Sequence, residues 1–430
     1  MSADGALGPL ISAAKGRQVT LAAAARELSQ AWMAADDEAR RTRGEGMLRL
    51  REVNLVIHVS SEADEGPARA AAAQFVREHS GRVIILVPPA PSISAPDQEL
   101  GGSPALISTT CFIDQHSGRQ VCSELVIIEA TGEEGRAARA AVFGLLVPDL
   151  PLLGWWSGGF SRLDPALLWL AELSDQLVVD SGRIDDPATC GPGVDLGAGT
   201  RALAVLVQTD PRTRVRDLAW LRVAPWRSLT AELFDDPERR RLLPRVSRLR
   251  VEHQGALAQA LLYSAWFGSR LGLNVVGERW QEDATRCVKL RRDPDVGGEE
   301  GTPASIVIEL HSLGPRRGEA PGLAGVSIYV ESSSTETPPP GVAGEGDGTT
   351  GAAIPVLSMC RRPHSHVCTA CVAEGADEVM VKTLEMPPDE DWRLLCQILE
   401  SPRPDAVFAE AAGLAAVLSG TPGSGAPAAP

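Results

Sequence analysis

Residues 52–60 read EVNLVIHVS and residues 82–87 read RVIILV, two short apolar, β-branched runs on either side of 67–79, PARAAAAQFVREH. The runs have strand composition and the alanine-rich piece has helix composition, so the segment is a strand–helix–strand unit. Working outward, 107–114 and 120–129 are two more strands around a Ser117–Gly118 turn, and 133–146 is again helical. Pro148–Phe160 is a short buried strand carrying Trp155, Trp156 and a glycine pair. Asp164 followed by Pro165 is a helix start, with Leu167, Leu168, Leu170, Ala171 and Leu173 as its apolar face. Strands follow at 177–180 and 202–208. Alternation at this spacing gives a largely parallel sheet over about residues 50–210. Before it, Leu21, Leu28 and Trp32 mark an amphipathic helix over 19–43.

A tryptophan- and arginine-rich helical piece at 225–241 marks a change of composition. Beyond it come a strand at 246–253, a long helix at 254–271 closed by Gly272, and strands at 286–291, 305–311, 326–331 and 378–384. Strand following strand predicts a mostly antiparallel sheet. The expected fold class is therefore α/β: a helical leader (1–48), an N-terminal largely parallel-sheet α/β domain (49–243) and a C-terminal α+β domain with a mostly antiparallel sheet (244–418). Residues 332–351, SSSTETPPPGVAGEGDGTTG, have the composition of a disordered insertion, and 419–430 that of a flexible tail.

The chain of 430 residues has 41 basic and 56 acidic side chains, a formal charge of −15. That balance disfavours a grip on nucleic acid, which needs many phosphate contacts. Lys15, Lys289 and Lys382 are its lysines, which removes most candidates for a phosphate-gripping or Schiff-base lysine. Residues 1–9 do not have the pattern of a secretory signal, and the apolar stretch 137–160 is broken by Pro148, Asp149 and Pro151, so no membrane span is expected and the expected location is the cytoplasm. Eight cysteines in this length are too dilute for a disulfide framework and are expected to be mostly buried thiols.

Gly197–Ala202, GAGTRA, fits the loose pattern G-x-G-x-x-A, but a Pro/Gly loop precedes it and the expected strand 202–208 follows it. Dinucleotide binding requires the reverse context, so an ordinary glycine turn is favoured. No phosphate-binding G-x-x-x-x-G-K-[ST], nucleophile elbow or H-E-x-x-H occurs; no catalytic residue, metal or cofactor is assigned. Cys360, His364, His366, Cys368 and Cys371 form the densest cluster of soft ligands. Three readings stand: a thiol switch using Cys360, Cys368 and Cys371, with Cys368-x-x-Cys371 as a turn that brings two sulfurs together, a zinc site, or a strand-end turn that happens to be cysteine-rich. Nine tryptophans accompany two tyrosines, and four of the nine fall in Trp155–Trp156 and in 217–227, DLAWLRVAPWR. Tryptophan with arginine is the pair enriched at interface hot spots; indoles filling a core are the competing reading.

These segments, in this order, resemble the glucose-6-phosphate dehydrogenase assembly protein family, OpcA. The resemblance rests on Asn54–Val56, Pro148–Pro151 with Trp155–Trp156, Asp175–Ser181 (DQLVVDS), Asp217–Arg227 and Pro404–Ala411 (PDAVFAEA), and spans most of residues 50–415. It implies a non-catalytic partner that binds and activates glucose-6-phosphate dehydrogenase in the oxidative pentose phosphate pathway, with two α/β-type domains. Trp155, Trp156, Trp220, Arg222, Trp226 and Arg227 are its signature or partner-binding residues. In photosynthetic members C-terminal cysteines are linked to redox control, which makes thioredoxin a candidate second partner. The alternative is a sugar-phosphate or nucleotide-binding enzyme built on the N-terminal α/β domain.

Overall fold

The computed structural model describes residues 17–420 except 45, 47–50, 89–103, 114–119, 130–133, 161, 184–196, 210–213, 283–284, 293–302, 304, 315–320, 331–353, 363–364, 375–376, 387–389 and 402–404. The expected disordered insertion and the Ser117–Gly118 turn lie outside the described residues, as does the tail beyond residue 420. The chain forms two compact units that interleave along the sequence. The first takes residues 1–185, 210–217 and 390–404; the second takes 186–209, 218–389 and 405–430. A single cut between 243 and 244, as composition suggested, is not how the chain divides.

In the first unit the apolar runs become strands as their composition dictates. The elements are β1 (Arg17–Thr20), α1 (Ala24–Arg43), β2 (Val53–Val59), α2 (Glu62–Glu78), β3 (Gly81–Val87), β4 (Pro104–Ile113) and β5 (Gln120–Glu129). They continue with α3 (Glu134–Leu145), β6 (Leu152–Ser157), α4 (Pro165–Leu173) and β7 (Gln176–Val179). Helix α5 (Ala198–Thr209), which belongs to the second unit, precedes β8 (Arg214–Asp217). The sheet order is β1-β4-β5-β3-β2-β6-β7-β8. The six strands from β5 to β8 run parallel, with β4 and β1 added antiparallel at one edge. Numbered by their order in the chain, the six parallel strands read 3-2-1-4-5-6, the doubly wound order. Close strand packing explains one glycine: a Cβ on Gly81 would lie 2.1 Å from the Val53 carbonyl oxygen of the neighbouring strand.

The second unit holds α6 (Leu218–Arg222), α7 (Ala224–Leu233), α8 (Pro237–Arg240), β9 (Val246–Gln254), α9 (Leu257–Arg270), β10 (Leu273–Glu282), β11 (Thr285–Arg292) and β12 (Ser305–Ser312). It continues through β13 (Gly322–Val330), β14 (Ile354–Arg361), β15 (Val367–Glu374) and β16 (Asp377–Glu385). Helix α10 (Asp391–Glu400) returns to the first unit and α11 (Ala406–Leu418) to the second. Its sheet order is β10-β11-β12-β9-β13-β14-β15-β16, antiparallel except for β12 beside β9. Helix α9 packs on β9 and β12, while α11 packs on α9 and α5. The fold class is α/β, with a mostly parallel sheet in the first unit and a mostly antiparallel one in the second.

Two local readings change. Residues 202–208 are helical, inside α5, and not a strand: Ala202, Leu203, Ala204 and Leu206 are buried there. A short unbroken apolar run such as 202–207 does not by itself tell a buried helix from a strand. The C-x-x-C of Cys368 and Cys371 is no turn; both lie in the continuous strand β15.

Candidate functional site

In a doubly wound sheet a ligand sits at the carboxyl ends of the strands where the strand order reverses, against the N-terminus of the first crossover helix. Here that place is the end of β2 and β6 and the start of α2. The sequence from Val59 to Asp64 is VSSEAD, without a glycine. Helix α2 starts at Glu62, five residues before Pro67, and its first turn carries Glu62, Asp64 and Glu65. The Asp64 carboxylate accepts hydrogen bonds from the Ser61 hydroxyl at 2.5 Å and the Ser60 hydroxyl at 3.2 Å. Arg183 pairs with its other oxygen at 3.5 Å. The Ser60 amide donates to the Ser157 carbonyl at 2.9 Å, and a Cβ on Gly158, whose φ is 129°, would fall 1.7 Å from the Ser60 oxygen. The helix end that would meet a pyrophosphate therefore carries three carboxylates and is filled by its own side chains. A dinucleotide phosphate does not fit it, by charge or by space.

Beneath this closure His58 stacks on Trp156, ring centroids 4.5 Å apart and 9° from parallel. Burial pushes His58 down to about 4, against a smaller opposing pull from Asp164, so it is neutral at pH 7. Its Nδ1 and the Ser157 hydroxyl are buried without a hydrogen-bond partner. A stacked, neutral imidazole whose Nδ1 has no hydrogen-bond partner is a packing group.

The tryptophan–arginine residues are buried joints. Trp155, Trp156, Trp220 and Trp226 are 1%, 7%, 3% and 3% exposed. Trp155 and Trp156 lie in β6 opposite Ile57 and His58 of β2. Asp217, which opens DLAWLRVAPWR, accepts from the Ser181 amide at 2.8 Å and the Ser181 hydroxyl at 2.7 Å, tying β8 to the end of DQLVVDS. In the second unit, Trp220 Nε1 donates to Asp405 at 2.9 Å, and the other Asp405 oxygen caps α11 by accepting from the Phe408 amide at 3.0 Å. Phe408 lies 5.5 Å from the Trp220 ring, and the Arg227 guanidinium carbon sits 3.4 Å from that ring's centroid. Burial lowers Arg227 to about 10. Thr230 links Trp226 to Tyr263 through its hydroxyl, 2.8 Å to the Trp226 carbonyl and 2.6 Å to the Tyr263 oxygen. Arg222 is half-buried at the end of α6. Asn54 and Val147 exchange two hydrogen bonds of 2.9 Å, fixing the turn before β6.

The cysteines do not converge as a trio. Cys368 and Cys371 are three residues apart in one strand, hence on opposite faces. Cys368 is fully buried, and burial pushes its thiol up to about 12. Cys360 is exposed and Cys371 half-buried. The register puts Cys360 opposite Thr369 and Ser358 opposite Cys371, so Cys360 and Cys371 share the other face. Among the described residues no group of three or more His, Cys, Asp or Glu side chains is placed to hold a metal ion. Cys396, buried on α10, is likewise raised to about 12. One cysteine departs from the expectation of free thiols: Cys122 is disulfide-bonded. No described helix is long and apolar enough to cross a membrane.

Residues 72–191 match the glucose-6-phosphate dehydrogenase subunit N-terminal domain of the OpcA assembly family, and residues 213–412 its C-terminal domain. The OxPP cycle protein OpcA of Synechocystis is 31% identical over 296 residues, 67% of this chain and 57% of that protein. Its namesakes in Synechococcus elongatus and Nostoc punctiforme are 31% and 30% identical, over 50% and 49% of this chain and 48% and 43% of theirs. The chain thus spans about half the length of the curated relatives it matches. Among solved structures, the 3-ketoreductase KijD10 of Actinomadura kijaniata aligns over 86% of this chain and 96% of its own, with a TM-score of 0.41 at 11% identity. The oxidoreductase yvaA of Bacillus subtilis aligns over 85% and 94%, at 0.40 and 8%; both likenesses are too low to bear on chemistry. Two consecutive domain models over most of the sequence decide the matter: the chain belongs to the glucose-6-phosphate dehydrogenase assembly protein family, OpcA.

Proposed function

We propose that this protein is a non-catalytic assembly factor and allosteric activator of glucose-6-phosphate dehydrogenase, acting in the cytoplasm in the oxidative pentose phosphate pathway. The observation that carries the reading is the match to two domains named for that enzyme's subunit. The carboxylate-filled switch point favours it over an enzyme built on the same sheet, since the place where such a fold takes its dinucleotide is closed by Ser60, Ser61, Asp64 and Arg183. An activator must bind the active form of its target more tightly than the inactive form, about 1.4 kcal/mol for each tenfold shift in population. The signature tryptophans serve this indirectly, by holding rigid the surfaces that meet the enzyme. Any redox sensitivity at the C-terminal cysteines would fall to Cys360 and Cys371, which share a face, rather than to buried Cys368, with thioredoxin as reductant.

The test is to titrate the protein into the dehydrogenase of the same organism, following substrate half-saturation and the mass of the complex. A heavier complex with altered half-saturation is expected. Unchanged kinetics and mass under both reducing and oxidising conditions would overturn the reading.

A further inference from the structure

The start of helix α5 carries the glycine-rich GAGTRA, to which neither the switch point nor the signature tryptophans give a role. Its first glycine has a packing reason: a Cβ on Gly197 would lie 2.7 Å from the Ser419 Cβ and 2.9 Å from Nη1 of Arg201. The start of α5 and the end of α11 therefore touch, both within the second unit, and three guanidiniums gather where they meet. Arg201 Nη1 donates to the Ser419 hydroxyl at 3.1 Å and to the Ser419 carbonyl at 3.3 Å. Arg286 Nη1 donates to that same carbonyl at 3.5 Å. Arg279 Nη2 donates to the Val417 carbonyl at 2.7 Å, and its guanidinium lies against Gly420, where a Cβ would be 3.2 Å from the guanidinium carbon. In the β10–β11 ladder Arg286 is across from Gln281 and Arg279 across from Val288, which makes the two arginines diagonal neighbours on one face of the sheet. We propose that Arg201, Arg279 and Arg286 form a binding site for a phosphoryl dianion, either phosphate itself or the phosphate group of a small ester.

A helix C-terminus draws a cation, but one guanidinium is enough for that. Here two share one carbonyl oxygen, at distances longer than the roughly 2.7–2.9 Å of a good charge-assisted bond. Among the described residues neither Arg279 nor Arg286 has an ion pair, and Arg279 Nε is buried without a hydrogen-bond partner. Burial, Arg201 and Arg279 all press Arg286 below the ordinary guanidinium value. The same positive field reaches His253, 6% exposed, which burial, His311 and Arg286 hold down at about 4. Like charges crowded against a partly buried wall mark a place built for an anion.

The balance of charge selects the class of ligand. The two helix ends carry about half a charge each, of opposite sign, and offset one another. Arg279 and Arg286 then supply two positive charges, which a phosphate group, at about −1.5 to −2 near pH 7, matches better than a single carboxylate. A phosphate also has an oxygen for each guanidinium, and the planar fork of N–H groups on arginine suits such oxygens. Arg279 and Arg286 each give one N–H to α11, so donors remain for a ligand. All three side chains are half-buried, not sealed from solvent.

The test uses the full-length protein at constant ionic strength, made up with chloride so that general screening stays fixed. Calorimetric titration with inorganic phosphate, and separately with methyl phosphate, should show saturable binding of one anion per chain, and the melting temperature should rise with either. The tighter of the two names the source, free phosphate or an ester. Acetate should bind at least about tenfold more weakly. Arg286→Gln and Arg279→Gln should each weaken phosphate binding by about tenfold or more, the effect of removing one charged hydrogen-bonding group. The absence of saturable binding to the native chain would overturn the proposal, whether or not the variants fold. So would acetate binding as tightly as phosphate, or a phosphate affinity unchanged in both variants.

Discussion

Asp64 shows how one side chain can close a site that a fold would otherwise offer. Two hydroxyls and a guanidinium converge on its carboxylate at the helix N-terminus, where a carboxylate is stabilised by the macrodipole and repels any competing anion. The neighbouring His58 leads to a pH prediction. Its folded value of about 4 lies below the ordinary 6.5, so between these values the unfolded chain binds the extra proton and stability falls as pH falls. Buried His253, also lowered to about 4 by burial and by the nearby His311 and Arg286, acts in the same direction. Each contributes a slope of at most about 1.4 kcal/mol per pH unit. Thermal melting from pH 7.5 to 4.5 should show this loss, and His58→Phe, which keeps an aromatic ring against Trp156, should flatten it by up to one proton's worth. An unchanged slope in that variant would remove His58 from the account.

At the scale of elements, α11 is held to α6 by Asp405, which both caps the helix and accepts from Trp220. Asp405→Ala removes both bonds at once and should cost about 1–3 kcal/mol. Asp405→Asn, which keeps the capping oxygen, should cost less; denaturant melts of the two variants test the ranking. The same elements show what the sequence could and could not say. The parallel strands were legible because EVNLVIHVS and RVIILV are short runs dominated by apolar, β-branched residues, and Asp164–Pro165 was a legible helix start, with Asp164 accepting from the Ala166 amide at 2.7 Å. Helix α5 was illegible because its run 202–207, ALAVLV, is unbroken apolar sequence, which suits a buried strand as well as a helix. Strand β14 was hidden by Pro355, which sits beside a register shift opposite Tyr329 where a strand tolerates proline. Strand β15 was hidden by small residues and two cysteines that suggested a turn, and β1 by its four-residue length before a helix. Of the candidate site, the tryptophan–arginine string was visible, but its buried role was not, since composition cannot tell a core indole from an interface one. The acidic start of α2 went unread because Pro67 looked like the first residue of the helix.

For the whole molecule, the decisive feature is the route of the chain, which passes between the two units five times. Ending it after Asp389 would remove α10 from the first unit and α11 from the second. The lost burial includes Leu394, Leu395 and Ile398 of α10, and Phe408, Leu414 and Leu418 of α11. At about 1.5–3 kcal/mol for each large apolar side chain, the loss rivals the roughly 5–15 kcal/mol that holds an ordinary domain folded. The truncated chain should therefore lose its cooperative melt and near-ultraviolet circular dichroism, whereas removal of residues 421–430 should leave both intact. A sharp melt in the shorter chain would show that the returning helices are dispensable. Interleaving also bears on inheritance. Neither unit corresponds to one uninterrupted stretch of coding sequence, so a recombination event cannot donate or discard either of them cleanly, and the two must be passed on, and must change, as a pair.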